Sequence, residues 1–420
     1  MVITVFIYNL LKNGSWVKVK VRVKEFKDKA SLKEYLLSLG NTPRGAEIIS
    51  RKGRTYLFEV DGIDTRAANI LKQDAISVGG DCAVPRKASS FEKGLWRVLL
   101  VVNERELERL IDKLKLQPFG LKELSGELKR ALEGYLKNSF VIRYRGRELS
   151  LEKPVIMGIL NATPDSFSDG GRYTSVDRAL KRAEEIISQG GKIVDVGGES
   201  TRPGAPPVPL DEELRRVIPV VREIRKRLGD DFFISVDTYK AEVARQALLE
   251  GADMVNDISG MRFDPEMADV VSSSGCPVVI MHIKGTPRDM QKNPCYNDVV
   301  SEICDYFEER LSFALERGIG RDKIILDPGI GFGKRLEDNL CILKRFSEFR
   351  VFGFPLLIGT SRKSFIGAVT GVEEPQKRLA GSLASIVPAF YGGAKIFRVH
   401  DVAESFRFLK LLQAVEETGC

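Results

Sequence analysis

Short apolar runs alternate with longer amphipathic stretches from residue 154 to the end of the chain. Each run holds about five apolar residues bounded by turn-forming residues, the pattern of a strand that is buried on both faces. In the stretch after each run, apolar residues recur every three or four positions, which predicts a helix. The predicted strands lie at 155–160, 192–196, 232–236, 253–255, 277–281, 323–326, 355–358 and 395–399.

These strand–helix units predict an α/β fold. There are eight of them over roughly 265 residues, which is the repeat number and size of a closed (β/α)8, or TIM, barrel. We therefore predict such a barrel at 154–420. A doubly wound open sheet is the alternative, because it alternates strands and helices in the same way.

The front of the chain has a different pattern, which predicts a smaller α+β domain at 1–135. Alternation of apolar and polar residues and turn-like boundaries predict strands at 17–24, 46–49 and 55–60. Helical periodicity predicts helices at 64–76, 104–116 and 121–136. A short hairpin around Gly146 is expected to connect the two domains at 136–153. No catalytic group of residues stands out in the front domain.

Charge is unevenly distributed along the chain. The net charge is +7, but residues 1–150 carry 29 Lys and Arg against 18 Asp and Glu, whereas the remainder carries 36 against 40. A basic region of this kind can bind a polyanion. A solvated basic surface explains it more simply, so we expect no nucleic-acid partner.

The cysteines and the start of the chain limit the class of protein further. The six cysteines are scattered, without a C-x-x-C pair or clustered histidines, so the sequence indicates neither a zinc site nor a disulfide framework. The run at 2–11 lacks a basic segment and a cleavage pattern, and nowhere do eighteen apolar residues run together. We therefore expect a soluble cytoplasmic protein with no membrane association.

Polar residues stand where the predicted strands of the barrel end. Active sites of such barrels lie at the C-terminal ends of the strands, so these residues are candidates for catalysis or binding. For a single Asp or Asn, capping of the next helix is an equally good explanation. For a whole rim this explanation weakens, because crowded polar groups are costly to bury unless a ligand satisfies them. The candidates are Asn161, Asp195, Asp237, Asn256, His282, Asp327, Ser361, Lys363, Arg398 and His400.

The candidate charges are sorted around the rim. Carboxylates and amides follow strands two, three, four and six, whereas Lys363, Arg398 and His400 follow strands seven and eight. The loops after the last two strands are the usual phosphate site of this fold. A neutral heterocycle could donate paired N–H groups to Asp237 and Asp327. We expect a phosphate or diphosphate near Asn161, Ser361, Arg398 and His400.

The glycine-rich stretch at 329–335 departs from both common nucleotide-binding patterns. Its spacing lacks G-x-x-x-x-G-K-[ST], and its sixth position does not fit G-x-G-x-x-G. We therefore expect neither an ATPase site nor a dinucleotide site there.

Several longer motifs include these strand ends. Two of them follow the first two strands, LNATPDSFSDGG at 160–171 and DVGGESTRPG at 195–204. Shorter ones accompany later strands, namely SVDT at 235–238, VNDISG at 255–260, DPGIGFGK at 327–334, SRKS at 361–364 and RVHD at 398–401. Together they resemble the motifs of the dihydropteroate synthase family. The resemblance covers roughly residues 140–418 and does not include the front domain.

This resemblance implies roles for individual residues. The pterin ring would be held by Asp237, Asn256, Asp327 and Lys363, with Met281 packed near it. The diphosphate would be held by Asn161, Ser361, Arg398 and His400, and Asn161 would help to place a Mg²⁺. Two loops would close over an aromatic amine through Phe167, Asp169, Thr201, Arg202 and Pro203. The residues expected to act in catalysis are Asn161, Lys363, Arg398 and His400.

The implied reaction joins 4-aminobenzoate to (7,8-dihydropterin-6-yl)methyl diphosphate and releases dihydropteroate and diphosphate. A ribosylated relative of the amine stays open as the second substrate, and a homodimer is implied by the resemblance alone. Two other functions compete with this one: a pterin-binding methyltransferase of the same barrel class, and a nucleic-acid-binding protein that uses the basic front domain. The methyltransferase has no use for a cationic group such as Lys363, Arg398 and His400, so the sequence favours the synthase.

Overall fold

The computed structural model describes residues 7–10, 16–19, 21–162, 175–200, 204 and 206–418. The chain divides into two compact units, Met1–Arg130 and Ala131–Cys420. Among the described residues, no helix is both long enough and apolar enough to cross a membrane.

The front unit combines small antiparallel sheets with helices, which confirms its predicted α+β class. Strands β1 (Ile7–Leu10) and β2 (Trp16–Val19) form one antiparallel pair. A second antiparallel sheet consists of β3 (Thr55–Asp64), β4 (Asp81–Ala83) and β5 (Leu95–Asn103), with β5 in the middle. The helices are α1 (Lys29–Ser38), α2 (Pro43–Ser50), α3 (Thr65–Val78), α4 (Arg86–Ser89), α5 (Glu104–Leu114) and α6 (Leu121–Leu136), the last of which crosses the division between the units.

Two of the strands predicted for the front unit differ from the structure. Residues 46–49 lie in helix α2, because Thr42 caps this helix and Pro43 occupies its first position. The alternating run at 17–24 contributes only β2, whose partner β1 offers four residues for pairing, and residues 21–24 form no strand. Alternation marks a segment that could be extended, but a strand also needs a partner.

A tight hairpin precedes the barrel, as predicted. Strands β6 (Val141–Tyr144) and β7 (Arg147–Ser150) pair antiparallel. The two turn residues, Arg145 and Gly146, have φ angles of 47° and 78°. Positive φ at both positions is what a two-residue type I′ turn requires.

The hairpin closes the end of the barrel at which the strands begin. Arg147 donates from Nε to Asp253 Oδ1 over 2.8 Å, just before a barrel strand starts. Leu149 and Leu151 are buried with the barrel core. The opposite end, where the strands finish, is left for the polar residues of the predicted site.

Eight parallel strands close into a barrel, which confirms the predicted fold. Neighbours in the chain are neighbours in the sheet, and the last strand closes the barrel by pairing with the first, so that Arg398 lies opposite Met157. Most strand residues are buried, because side chains fill the interior and helices cover the outside. The strands are β8 (Val155–Asn161), β9 (Gly191–Gly197), β10 (Phe233–Asp237), β11 (Met254–Asp257), β12 (Val278–Met281), β13 (Ile324–Asp327), β14 (Leu356–Ile358) and β15 (Ala394–Val399).

Helices follow the barrel strands in the stretches where the sequence predicts them. They are α7 (Ser175–Ser188), α8 (Leu210–Leu228), α9 (Ala241–Leu249), α10 (Met267–Ser274), α11 (Val299–Glu316), α12 (Leu336–Lys344), α13 (Ser364–Thr370), α14 (Leu379–Tyr391) and α15 (Val402–Glu417). The short helix α13 is an addition to the barrel repeat, since both α13 and α14 lie between β14 and β15.

Candidate active site

Four polar residues form a hydrogen-bonded network across the mouth of the barrel. Arg398 donates from Nε to Asp195 Oδ2 over 2.6 Å and from Nη2 to Asp237 Oδ2 over 2.5 Å. Asn256 donates from Nδ2 to the same oxygen of Asp195 over 3.2 Å. These residues come from β15, β9, β10 and β11, so the network exists only because the barrel is closed.

The orientation of Arg398 connects the two halves of the rim. The resemblance assigned this residue to the diphosphate, yet its guanidinium contacts Asp195 and Asp237 on the acidic side. A planar guanidinium between two carboxylates is rigidly placed, because two of its N–H directions are fixed. Its role towards a diphosphate stays a prediction.

Burial dominates the electrostatics of this network. It raises the pKa of the Asp237 carboxyl to about 7, while Arg398 opposes this effect and Asp195 adds to it. Burial alone lowers the pKa of Arg398, but the two carboxylates outweigh it and raise that pKa overall. Asp237 therefore changes protonation near neutral pH, and a ligand that donates N–H groups to it favours the charged form.

Asp327, the last residue of β13, and Lys363, in the loop after β14, are the next charged residues of the rim. Asp327 Oδ1 accepts a hydrogen bond from the backbone N–H of Gly329 over 2.7 Å. Burial raises the pKa of Asp327, and Lys363 is the main charge that opposes the rise. Burial also lowers the pKa of Lys363 to about 8, against the effect of Asp327. The Lys363 ammonium bonds the carbonyl of Ile330 and lies 4.6 Å from the centroid of the Phe332 ring.

An apolar cluster lies beside these polar groups. Met281 packs there with three other buried residues, and the rings of Tyr239, Phe263 and Phe332 cover the cluster in part. Together with the carboxylates, this gives a planar ligand an apolar face and a hydrogen-bonding edge. The three buried partners of Met281 are Ile258, Ile283 and Met290.

His400 is held in place from three directions. Its Nδ1 lies 3.0 Å from Ser361 Oγ, and its backbone N–H donates to the same oxygen over 3.2 Å. Arg182 donates from Nη2 to the His400 carbonyl over 2.6 Å. The next residue, Asp401, accepts two hydrogen bonds from Arg362, at 3.0 Å and 2.5 Å. The structure thus brings Ser361 and His400 together, as the predicted anion site requires.

The second histidine, His282, has its contacts behind the rim. Its Nδ1 lies 2.8 Å from Lys334 Nζ, and its ring meets Tyr306 edge to face at 4.9 Å. Burial lowers the pKa of both His282 and Lys334. Neighbouring cations lower the pKa of His282 further, whereas Asp327 opposes the lowering at Lys334. This pair ties the end of β12 to the loop after β13 rather than adding a group to the mouth.

A group of ionic contacts that the sequence does not predict lies next to the site. Lys240 bonds both Glu199 and Glu213, while the Tyr239 hydroxyl donates to Glu199 over 2.9 Å and the Thr238 hydroxyl to Glu213 over 2.7 Å. Thr238, Tyr239 and Lys240 directly follow Asp237 in the sequence. Their position just after β10 is the signal from which these contacts could have been predicted. Arg182 gave no such signal, because it lies on a helix far along the chain from His400.

The two loops assigned to the aromatic amine contain Phe167, Asp169, Thr201, Arg202 and Pro203, which all lie outside the described residues. Their assignments stay predictions.

The donor set at the rim is compatible with the predicted magnesium ion. Asn161 ends β8, and its side chain is exposed. Mg²⁺ is usually held by one or two protein oxygens together with substrate phosphates, and Asn161 offers one such oxygen. Among the described residues, no group of three or more His, Cys, Asp or Glu is placed to hold a metal.

The barrel and the sorted rim define an enzyme class that binds a pterin. Residues 157–400, more than half of the chain, match the family described as pterin binding enzyme, and the chain therefore belongs to this family. Within it, the chain belongs with the dihydropteroate synthases, which transfer a pterinylmethyl group.

Relatives of two lengths support this placement. The dihydropteroate synthase of Synechocystis sp. is 46% identical over 264 residues, which are 63% of this chain and 91% of the relative. The bifunctional dihydropteroate synthase/dihydropteroate reductase of Helicobacter pylori is 37% identical over 389 residues, which are 92% of this chain and 97% of the relative. The second match covers so much of this chain that it must include most of the front unit.

Solved structures agree with the fold. Dihydropteroate synthase of Xanthomonas albilineans with 4-aminobenzoic acid has a TM-score of 0.63 and 43% identity, covering 67% of this chain and 99% of that one. Dihydropteroate synthase of Yersinia pestis with a sulfonamide drug complex has a TM-score of 0.63 and 42% identity, covering 66% of this chain and 100% of that one.

Proposed function

We propose that the barrel condenses (7,8-dihydropterin-6-yl)methyl diphosphate with 4-aminobenzoate to give dihydropteroate and diphosphate, a step of folate biosynthesis. The sorting of charge at the mouth carries this proposal. Asn256 and Asp327 are buried on one side together with Asp237, whose side chain is 10% exposed, and Ser361 and His400 meet on the other side. A neutral N–H-rich ring joined to a diphosphate matches both sides.

The acidic side would bind the pterin ring. Asp237 and Asp327 accept its N–H groups, and Asn256 supplies a donor and an acceptor. Lys363 donates to a ring acceptor from beside Asp327, and Met281 packs near the ring. Burial has already removed water from these carboxylates, so a hydrogen bond from the ligand supplies an interaction that they lack. The site therefore favours a ring whose edge carries several N–H donors.

The cationic side would stabilise the leaving group. As the C–O bond to the diphosphate breaks, the pterin ring delocalises the positive charge, and His400, Ser361 and Arg398 stabilise the negative charge on the diphosphate. Asn161 would hold a Mg²⁺ jointly with the diphosphate, where the bound ion would neutralise part of that charge. The amine nitrogen then forms the C–N bond and loses a proton to solvent. An aniline nitrogen is already neutral at pH 7, so this step needs no strong base.

Release of diphosphate is the direct test. The purified chain should release diphosphate only when the pterin diphosphate, 4-aminobenzoate and Mg²⁺ are all present, and each omission serves as a control. A sulfonamide should compete with 4-aminobenzoate. A folded protein that releases no diphosphate from the complete mixture would contradict the proposal.

The rival methyltransferase is distinguished by a second assay. It would take a methyl group from methyltetrahydrofolate to a corrinoid, and it would need no diphosphate site. Methyl transfer by the purified chain would favour it, and we expect none.

We propose a second activity, the reduction of dihydropteroate, that depends on the front unit. The observation that favours it is the Helicobacter pylori relative, whose name includes dihydropteroate reductase and whose match extends into the front unit. The Synechocystis relative is named only as a synthase and matches 63% of the chain. Reduction adds a hydride and a proton to the dihydropterin ring, so a two-electron donor such as a reduced nicotinamide or a reduced flavin must supply the electrons.

The second activity is tested by incubating dihydropteroate with the full chain and each reduced donor in turn, and by measuring tetrahydropteroate by chromatography. Reactions without donor or without protein are the controls. Absence of tetrahydropteroate with every donor would contradict this activity without affecting the synthase proposal.

The remaining proposals concern location and partners. We propose a cytoplasmic homodimer that acts on small molecules and has no nucleic-acid partner. Sedimentation would give the oligomeric state, and salt-dependent retention of a duplex by the front unit's basic surface would contradict the last statement.

A further inference from the structure

A cavity of about 480 Å³ lies between strand β8, helix α7 and the start of helix α15. It reaches the proposed diphosphate site at Asn161 and His400, which both line it. Arg398 and Ser361 are not among its lining residues. The cavity is therefore a neighbour of the reaction site, on the side of the helices, and not the pterin pocket itself.

Cationic side chains line this cavity. Arg178 and Arg182 lie four residues apart on α7, so both face the same way, and Arg362 comes from the loop after β14. Two carboxylates, from Asp401 and Glu404, stand against these three guanidinium groups, and Asp401 is already bonded twice by Arg362. The lining thus carries more positive than negative charge.

The backbone of α15 adds to this charge pattern. The first turn of the helix, Val402 to Glu404, lines the cavity, and Asp401 makes no side-chain capping bond because its carboxylate faces Arg362. First-turn N–H groups have no acceptor within their helix, and the helix dipole is positive at this end. The N-terminus supports the arginines here but would not define a site by itself.

We propose that this cavity is a second anion subsite, which takes inorganic diphosphate as it leaves the reaction site. Guanidinium groups bind phosphate oxygens through paired N–H donors, and those of Arg178 and Arg182 both line the cavity. Arg182 also donates to the His400 carbonyl, which connects the cavity lining to the proposed diphosphate site. The diphosphate would pass from His400 and Asn161 to these arginines. The physiological role rests on the proposed synthase function, whereas binding of free diphosphate to the cavity does not.

Binding is measured without turnover. Inorganic diphosphate is titrated by calorimetry into the full chain saturated with the pterin diphosphate and Mg²⁺ but without the amine, so that the first diphosphate site is filled. We expect wild-type protein to bind additional diphosphate. Arg178→Gln should weaken this binding by about tenfold, because it removes one charge-assisted contact.

Lys181→Gln is the matched control. Lys181 lies on the same helix and loses the same charge, but it is exposed and does not line the cavity, so binding should stay within about twofold of wild type. If Arg178→Gln lowers the unfolding temperature, Arg178→Lys is used, where the loss of the paired donors should weaken binding by about threefold.

Two outcomes overturn the proposal: no additional diphosphate bound by wild type, or equal affinities for Arg178→Gln and Lys181→Gln. Failure of the synthase proposal would look different. If the protein has no synthase activity but Arg178→Gln still binds diphosphate more weakly than Lys181→Gln, the synthase proposal fails and the subsite stands. If the protein is active but the two variants bind diphosphate equally, the subsite fails and the synthase proposal stands.

Discussion

Asp327 and Asp237 have similar chemistry but different surroundings. Asp327 receives a backbone N–H and faces a lysine, whereas Asp237 shares an arginine with a second carboxylate. Removal of Asp237 takes one of two carboxylate partners from Arg398, whereas removal of Asp327 takes away the charge that most favours the protonated form of Lys363. The two residues therefore lead to different predictions, one on ligand affinity and one on pH dependence.

Asp327→Asn should weaken binding of a dihydropterin by roughly 10- to 100-fold, because a hydrogen bond to a charged group contributes about 1.5–3 kcal/mol. Asp322→Asn is the control, since Asp322 stands just before β13 and its side chain is 68% exposed. Fluorescence titration with a pterin measures both variants. Equal affinities would remove Asp327 from the site.

Asp237 should make the stability of the chain depend on pH. The pKa of its carboxyl rises from 3.8 in the unfolded chain to about 7 in the folded chain, so the folded state keeps a proton that the unfolded state releases. The stability that this proton contributes is complete below about pH 4 and is lost as the pH rises to about 7. Between about pH 5 and pH 7.5, wild type should lose on the order of 2 kcal/mol relative to Asp237→Asn.

Urea unfolding of both proteins at the two pH values, at equal ionic strength, measures this difference. Other buried carboxyls such as Asp257 titrate in both proteins, so they cancel in the comparison. A constant difference in stability across this range would show that Asp237 keeps an ordinary pKa.

Some single elements can be predicted from their local sequence alone. Helix α5 begins after Asn103, whose side chain accepts the N–H of Glu106 over 3.0 Å while Glu106 accepts the N–H of Asn103 over 2.8 Å. This capping box and the apolar spacing of Leu107, Leu110 and Leu114 lie entirely within one segment. The predicted helix at 104–116 therefore agrees with the structure. The predicted strand at 46–49 is wrong, because the cap at Thr42 and the proline after it start a helix.

The hairpin β6–β7 gives a prediction at this scale. Arg147→Met should destabilise the chain by about 1.5–3 kcal/mol, because it removes a charge-assisted hydrogen bond to Asp253, whose side chain is 0% exposed and which keeps Arg225 and the Ile234 N–H as partners. Arg143→Met, on the same hairpin, breaks only a pair with Glu148 in which the side chains are 66% and 52% exposed, and it should cost less than about 1 kcal/mol.

Thermal and urea unfolding of the two hairpin variants test this difference. Equal losses would mean that the hairpin does not stabilise the barrel through Asp253. Synthase activity should be unchanged in both folded variants, since the hairpin lies at the end where the strands begin.

At the scale of the whole molecule, all described candidate residues for the synthase lie in the second unit. The front unit has its own sheets and core, and one full-length relative is named for a second activity. The two activities should therefore be separable by truncation.

A chain that begins at Leu121 keeps helix α6 whole, including Gly134, whose backbone closely approaches Val351. We expect it to retain synthase kcat/KM within a few-fold and to lose reduction of dihydropteroate. Parallel assays of full and truncated chains measure both. Loss of synthase activity in a folded truncated chain would assign the front unit a part in the barrel reaction.

The sequence by itself determined the barrel and most of its candidate residues. Apolar runs, helical periods and strand-end polar residues are local patterns, and Asp237, Asn256 and Asp327 stand directly at strand ends. The motifs are long enough to be specific for one family, and the resemblance to that family implied the ligand. No contact between distant segments was needed for any of these conclusions.

Only the tertiary structure decided how these residues act on one another. Arg398 meets Asp195 across 203 positions of sequence, and Arg182 meets the His400 carbonyl across 218. Such pairs form because β15 closes onto β8 and brings the last strand and the first helix together. Burial in the closed barrel also sets the raised pKa of Asp237 and the lowered pKa of Lys363, because desolvation depends on everything that surrounds a group and not on its neighbours in the chain.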